Sequence, residues 1–181
     1  MVDVFAPVGK GQRGVVIGAA GSGKSTLLNS LAHAVAVNAP DAHIMMVLVD
    51  EQPEAITEIA REAKGEVIAS TFDRSSDDHT TIAELAIERA KRLVELGHDV
   101  VVLFDSLTRL ARAYQQSIGG TSRGGSDTAW VHPTKKLFGA ARNVDGGGSL
   151  TILGTLVTGT GLAVDDVVAS EISSTATWEL H

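Results

Sequence analysis

Val15-Val16-Ile17 runs directly into Gly18-Ala19-Ala20-Gly21-Ser22-Gly23-Lys24-Ser25 and on into Thr26-Leu27-Leu28. A short apolar strand, a glycine-rich turn and a helical pattern follow one another without a gap. The eight residues from Gly18 to Ser25 match G-x-x-x-x-G-K-[ST] in the setting this motif needs, a strand before and a helix after. Glycines at 18, 21 and 23 let backbone N–H groups turn inward and approach phosphate oxygens with no side chain between. The helix opening near Lys24 adds unpaired N–H groups and the positive end of its dipole. Lys24 is placed to reach β- and γ-phosphates, and Ser25 to offer its hydroxyl to Mg²⁺. The expected binding set is Gly18, Ala19, Ala20, Gly21, Ser22, Gly23, Lys24, Ser25 and Thr26, with ATP or GTP and Mg²⁺ as ligands. The competing reading is an ordinary glycine turn ahead of a helix.

Outward from this passage, apolar runs alternate with longer helical patterns. Strands are predicted over Val15–Ile17, Ile44–Val49, Glu66–Thr71, Val100–Phe104 and Leu150–Val157. Continuous apolar runs of this kind are buried on both faces. Helices are predicted over Lys24–Val37, from Pro53 to about Ala63, Thr80–Leu96, Leu107–Gln116 and Thr134–Ala141. The Thr80–Leu96 helix is expected to bury Ile82, Leu85, Ala86, the stem of Arg89 and Leu93. Asp73 to Asp78, the glycine-rich stretch from Ile118 to Asp127, and Asp145-Gly146-Gly147-Gly148 read as loops or turns. Val164–Ile172 and Thr175–Leu180 read as two short strands joined at Ser173-Ser174, a hairpin signal. Strand–helix alternation at this spacing predicts an α/β fold with a mainly parallel sheet.

Composition agrees with one domain over residues 1–181. The chain is 44% apolar and only 4% aromatic, so Val, Ile, Leu and Ala must fill the core. A formal charge of −7 argues against nucleic acid as an equilibrium partner, although a local basic patch is compatible with it. There is no Cys, which excludes disulfides and thiol chemistry. No apolar run reaches a membrane span and the N-terminus does not read as a secretory signal, so no membrane partner and a cytoplasmic location are expected. His33, His43, His79, His98, His132 and His181 lack metal-ligand spacing and are expected at the surface. Trp130 and Trp178 are expected in core or edge packing.

Two acids stand at strand ends. Asp105 closes Val100-Val101-Val102-Leu103-Phe104, on the sheet edge where the phosphate loop lies. There it is suited to orient a water on Mg²⁺, or else to cap the next helix. Glu51 follows Ile44–Val49 and Asp50. It is either a base for the attacking water or a solvated acid at a helix start.

Longer strings carry a resemblance. Pro7-Val8-Gly9-Lys10-Gly11-Gln12-Arg13-Gly14, the stretch Gly65 to Asp73, Asp105-Ser106-Leu107-Thr108-Arg109-Leu110-Ala111-Arg112-Ala113-Tyr114, and Phe138 to Asn143 together resemble the ATPase core of the Rho transcription termination factors. These are RecA-type hexameric RNA translocases related to ATP synthase catalytic subunits. The resemblance implies a three-layer RecA-like P-loop fold, to which the C-terminal pattern read above adds a β-hairpin. It implies Lys24 and Ser25 as the phosphate-loop pair, Asp105 and Ser25 on the Mg²⁺ side, and Glu51 as catalytic base beside Lys24. It also implies that Leu150–Val157 lies between the Val15 and Asp105 strands, and that Gly119–Gly125 and Thr160–Asp166 correspond to RNA-touching pore loops.

Departures fall on coupling rather than on the nucleotide cradle. Ala163 stands where the family carries lysine, Gln52 where it usually carries arginine, and the family's OB domain and arginine-finger segment lie outside these residues. A lost finger is worth roughly 10³–10⁵ in rate. The expected activity is therefore Mg²⁺-dependent ATP binding with slow hydrolysis by a monomer or weakly self-associating chain. The alternatives are an RNA-stimulated hexameric motor core, with Arg123 as its basic loop contact, and an engineered P-loop scaffold without activity.

Overall fold

The structure is a computed structural model and describes residue 2, residues 6–118 and residues 128–181. The Gly119–Gly125 stretch and Arg123 lie outside the described residues.

The chain alternates strand and helix: β1 (Arg13–Gly18), α1 (Lys24–Asn38), β2 (His43–Glu51), α2 (Pro53–Glu62), β3 (Glu66–Thr71), α3 (Ser76–Glu95), β4 (Asp99–Asp105) and α4 (Leu107–Ser117). A 3₁₀ turn (Ala129–Val131), α5 (His132–Phe138), β5 (Arg142–Asn143), β6 (Ser149–Val157), α6 (Ala163–Ser173) and β7 (Trp178–Leu180) complete it. The seven strands form one sheet ordered β3-β2-β4-β6-β1-β7, with β5 on the flank of β6. Every pairing is parallel except β5 with β6. β6 lies between β1 and β4, as the resemblance implied.

Alternation along the buried strands sorts their side chains into two layers. Met45, Val47 and Val49 of β2, with Val100, Val102 and Phe104 of β4, pack with α3, α4, α5 and α6 in the larger core. Ile44, Met46, Leu103 and Leu153 point the other way, onto Leu28 and Ala32 of α1 and the partly buried Ile59 of α2. Helices therefore cover both faces of the sheet. Because β2, β4, β6 and β1 are parallel, their C-terminal ends, and with them Glu51, Asp105, Val157 and Gly18, share one edge.

Three expectations need correction. The C-terminal hairpin is absent. Val164–Ile172 belongs to α6, and Trp178–Leu180 pairs parallel with β1, Gly14 opposite Trp178. The β-branched content of Val164, Val167, Val168 and Ile172 suggested strand. Their spacing of three, four and eight is helical, and Asp165 and Asp166 in the first turn suit the dipole. Second, α3 begins at Ser76, inside the expected loop, because Ser75 and Asp78 form a reciprocal capping box. Its buried stripe is His79, Ala83, Ala86, Ile87, Ala90 and Val94, while Leu85 is 64% exposed. Small alanines let α3 lie close to the sheet. Third, His79 is buried rather than at the surface. Trp130 and Trp178 are both buried, and the Trp178 indole N–H donates to Ala6 O at 2.8 Å.

Candidate functional site

α1 differs from α3 and α4 at its N-terminus. Ser75 caps α3 and Ser106 caps α4, each accepting a backbone N–H through its side chain. At α1 the capping position is Gly23, with φ 85°, no side-chain cap and no acid in the first turn. The first amides of a 15-residue helix thus face the loop without a side-chain acceptor, an arrangement suited to an anion. Gly21 and Gly23 have positive φ, and a Cβ at either would meet nothing within 4 Å. Glycine is needed there for the backbone turn, and the space beside it is open.

Lys24 sits in this mouth, 9% exposed. Its ammonium donates to Gly18 O at 2.9 Å, Ala19 O at 2.5 Å and Ser22 Oγ at 3.2 Å. Among the described residues it has no carboxylate within ion-pair distance. Burial pushes its pKa below the ordinary lysine value, while the charge of Asp105 pulls it the other way. Ser25 and Thr26 are exposed on the first turn. A cleft of about 540 Å³ between α1 and α2 opens on both, but its far wall carries Glu58 and Glu62. Two acids make that wall a poor seat for polyphosphate.

Asp105 is 8% exposed at the end of β4 and accepts from Thr155 Oγ1 of β6 at 2.6 Å. It is not the α4 cap. Ser106 takes that role, accepting from the Arg109 N–H at 3.1 Å. The Asp105 carboxylate is therefore held at the sheet edge by a neighbouring strand. Glu51 ends β2 beyond a register break between Leu48 and Glu51 against β3, and Asp50 within that break has φ 57°. The Glu51 side chain is 18% exposed and pairs with Arg109 Nη1 at 2.5 Å, while its Oε1 accepts from the Gln52 N–H at 3.1 Å.

The loop after β6 joins this edge. The Thr158 N–H donates to Gly18 O at 3.1 Å, the same carbonyl that Lys24 uses. Thr160 Oγ1 donates to Asp165 at 2.5 Å, and Arg112 grips the same fully buried carboxylate through Nε at 2.8 Å and through Nη2. Burial pushes the Asp165 pKa up, but the Arg112 and Thr160 hydrogen bonds and the Arg112 charge outweigh it and leave the carboxyl below its ordinary range.

Sequence reading located Lys24, Asp105 and Glu51 but attached no partner to any of them. Thr155 carried no sequence signal of its own, and Ser70 and Asp165 stood inside the stretches Gly65–Asp73 and Thr160–Asp166 without an individual role. Arg109 and Arg112 stood inside the string Asp105–Tyr114, and a spacing of three on one helix marks them as a shared face. Among the described residues no cluster of three or more His, Asp or Glu is built to hold a metal. No described helix is long and apolar enough to cross a membrane.

Known proteins resemble this chain in sequence and in fold. The model of the "ATP synthase alpha/beta family, nucleotide-binding domain" matches residues 1–177. The chain is 54% identical over 184 residues to the transcription termination factor Rho of Micrococcus luteus, covering 100% of the chain and 27% of that protein. It is 53% identical to Rho of Streptomyces lividans, covering 99% of the chain and 26% of the relative. For Rho of Streptosporangium roseum the figures are 53% identity, 100% of the chain and 48% of the relative. The chain thus spans between about a quarter and a half of these relatives. Among solved structures, an ATPase from the type III secretion system of pathogenic bacteria superposes with a TM-score of 0.84 at 24% identity, over 98% of this chain and 53% of the other, a likeness of fold.

Proposed function

This chain belongs to the ATP synthase alpha/beta family as a nucleotide-binding domain, and on that footing we propose that it binds Mg·ATP in the loop from Gly18 to Thr26 and hydrolyses it slowly. The carrying observation is the buried Lys24 ammonium, held by two carbonyls and a hydroxyl. Neutral acceptors compensate a buried cation poorly, and a polyphosphate is the partner whose charge it lacks.

The residues fit the ligand. Glycines 21 and 23 leave open the space that phosphate oxygens need, and the uncapped turn of α1 supplies the amides. Ser25 and Asp105 are the residues that would hold Mg²⁺, which when bound draws negative charge from the terminal phosphates. Lys24 turns from Gly18 O and Ala19 O to the β- and γ-oxygens and carries the charge that develops in transfer. Glu51 accepts the proton of the attacking water, and to do so it must part from Arg109 Nη1. That ion pair is a resting arrangement that favours slow turnover.

Mg·ATP at a hundred times its dissociation constant is expected to stabilise the fold by about 2.7 kcal/mol, a rise of roughly 5–10 °C in Tm for a chain of this size. An unchanged Tm at millimolar Mg·ATP would leave the inactive-scaffold reading in its place. Glu51→Gln is expected to keep calorimetric affinity for ATP while lowering turnover about a hundredfold. Parental turnover in that variant would remove Glu51 as base.

A second reading is favoured by the identity to Rho proteins over the whole chain. Here the same cradle is the ATPase core of a transcription termination factor, working in a ring on RNA. Sedimentation with and without Mg·ATP, and hydrolysis with and without RNA, separate the two. A monomer with RNA-insensitive turnover retires the motor for this chain.

A further inference from the structure

His79 is 6% exposed and takes no part in the chemistry above. It stands in the first turns of α3, where the Ser75–Asp78 capping box fixes the backbone. Its Nδ1 lies 2.8 Å from Ser70 Oγ near the end of β3, and Ser70 is 2% exposed. The Asp50 N–H donates to the same Oγ in a long hydrogen bond of 3.4 Å. On the far side, Arg109 Nη1 donates to Asp50 O at 2.8 Å and to Glu51 Oε2 at 2.5 Å. The Phe72 N–H donates to Glu51 O at 3.1 Å. Both peptide units of Asp50 are thus tied, one to Ser70 and one to Arg109.

The tie matters because of where Asp50 lies. A non-glycine residue at φ 57° is strained and persists only where its surroundings hold it. In an unbroken strand Glu51 would follow Met45, Val47 and Val49 onto the face of the larger core. The register break at Leu48/Glu51 turns it instead to the sheet edge, as bulges re-aim side chains. What holds the break aims the carboxylate.

We propose that Ser70 and His79 are positioning residues for Glu51, a relay running from the Asp50 N–H to Ser70 Oγ and from the Ser70 hydroxyl to His79 Nδ1. The amide can only donate, so Ser70 Oγ accepts it; in this relay the Ser70 hydroxyl donates its one hydrogen to Nδ1, which places the histidine proton on Nε2. The proposal rests on the reading of Glu51 as base and adds the side chains that hold it in place. Misplacing a reacting group by an ångström lowers rate far more than it lowers binding.

The test compares Ser70→Ala, His79→Leu and His79→Asn with the parent, with Glu51→Gln alongside. Asn can present an acceptor near the position of Nδ1. Ser70→Ala and His79→Leu are expected to lower kcat about tenfold or more, with KM for Mg·ATP within about twofold. Amide hydrogen exchange should quicken at Asp50 and Phe72 and stay parental across residues 22–27. His79→Asn should recover most of kcat. Parental kcat and parental exchange at Asp50 and Phe72 in both disabling variants would overturn the proposal. So would a loss in which exchange quickens throughout the sheet and His79→Asn recovers nothing, since that marks packing alone. If Glu51→Gln turns over like the parent, the base reading fails on its own. The exchange at Asp50 then still decides whether Ser70 and His79 hold the break.

Discussion

Lys24→Ala is expected to lower kcat/KM for Mg·ATP by about 10³-fold or more and to abolish measurable calorimetric binding. Two contributions add. A charge-assisted hydrogen bond to phosphate is worth roughly 1.5–3 kcal/mol in affinity. Loss of a preorganised donor aimed at charge developing in the transition state costs about 2.7–4 kcal/mol more. Ser22 and the α1 amides stay in place and cannot replace a full positive charge. The resting protein should respond in the opposite direction. Burial lowers the Lys24 pKa below 10.5, so the unfolded chain holds that proton more tightly than the folded one. At neutral pH the ammonium therefore opposes folding, and the opposition fades as pH rises through the folded pKa. Lys24→Met, close in volume and uncharged, is expected to leave the unliganded protein at least as stable in thermal melts while binding no nucleotide. Parental ATP affinity in Lys24→Ala would refute the phosphate reading directly.

The second large effect is on stability. Arg112→Met should cost about 3 kcal/mol, because removing the arginine, itself 37% exposed, strands a partner that is fully buried. Here the stranded group is the Asp165 carboxylate, at 0% exposure. The corresponding fall in Tm is roughly 6–12 °C. The pH dependence has a definite sign. In the parent, the folded Asp165 pKa lies below its ordinary value, so its contribution is present above the unfolded pKa and is lost as pH falls through the folded one. In Arg112→Met, burial is the dominant influence left and pushes the carboxyl up. The folded variant then binds a proton more tightly than the unfolded chain does. The deficit against the parent should be largest near neutrality and should narrow toward pH 4. A deficit equal at pH 7 and pH 4 would mean that the lost stability is packing of the arginine stem. The same variant frees Thr160 from a fixed acceptor, so the loop from Thr158 to Leu162 should exchange its amides faster.

These effects meet at one edge of the sheet. Gly18 O is shared by Lys24 and the Thr158 N–H, so a Lys24 ammonium drawn to phosphate leaves that carbonyl to the loop after β6 alone. Arg109 reaches Asp50 O and Glu51 through its side chain and the α4 cap Ser106, which follows Asp105, through its backbone N–H.

Much of this was legible in the chain itself. The passage from Val15 to Thr26 announced strand, loop and helix because each conformation there has its own chemical demand: apolar residues for burial, glycine for positive φ, an uncapped helix start for an anion. The runs at Ile44, Val100 and Leu150 announced buried parallel strands because only strands covered on both faces read as unbroken apolar stretches. The C-terminal segment was misread because valine and isoleucine favour strands in isolation, whereas Val168 and Ile172 gain more by burying a helical face against α4 and β6. Tertiary structure alone decided what each charged residue meets. That Lys24 rests on carbonyls, that Asp105 leans on Thr155 of the next strand, that Glu51 follows a bulge tied to Ser70 and Arg109, and that Asp165 is locked by Arg112 all depend on groups 20 or more residues apart or on the turn of a backbone. Local preference acts over a few residues, so a single chain can state which groups it carries and in what local shape. Which of them come within 3 Å of one another is set only when the sheet closes.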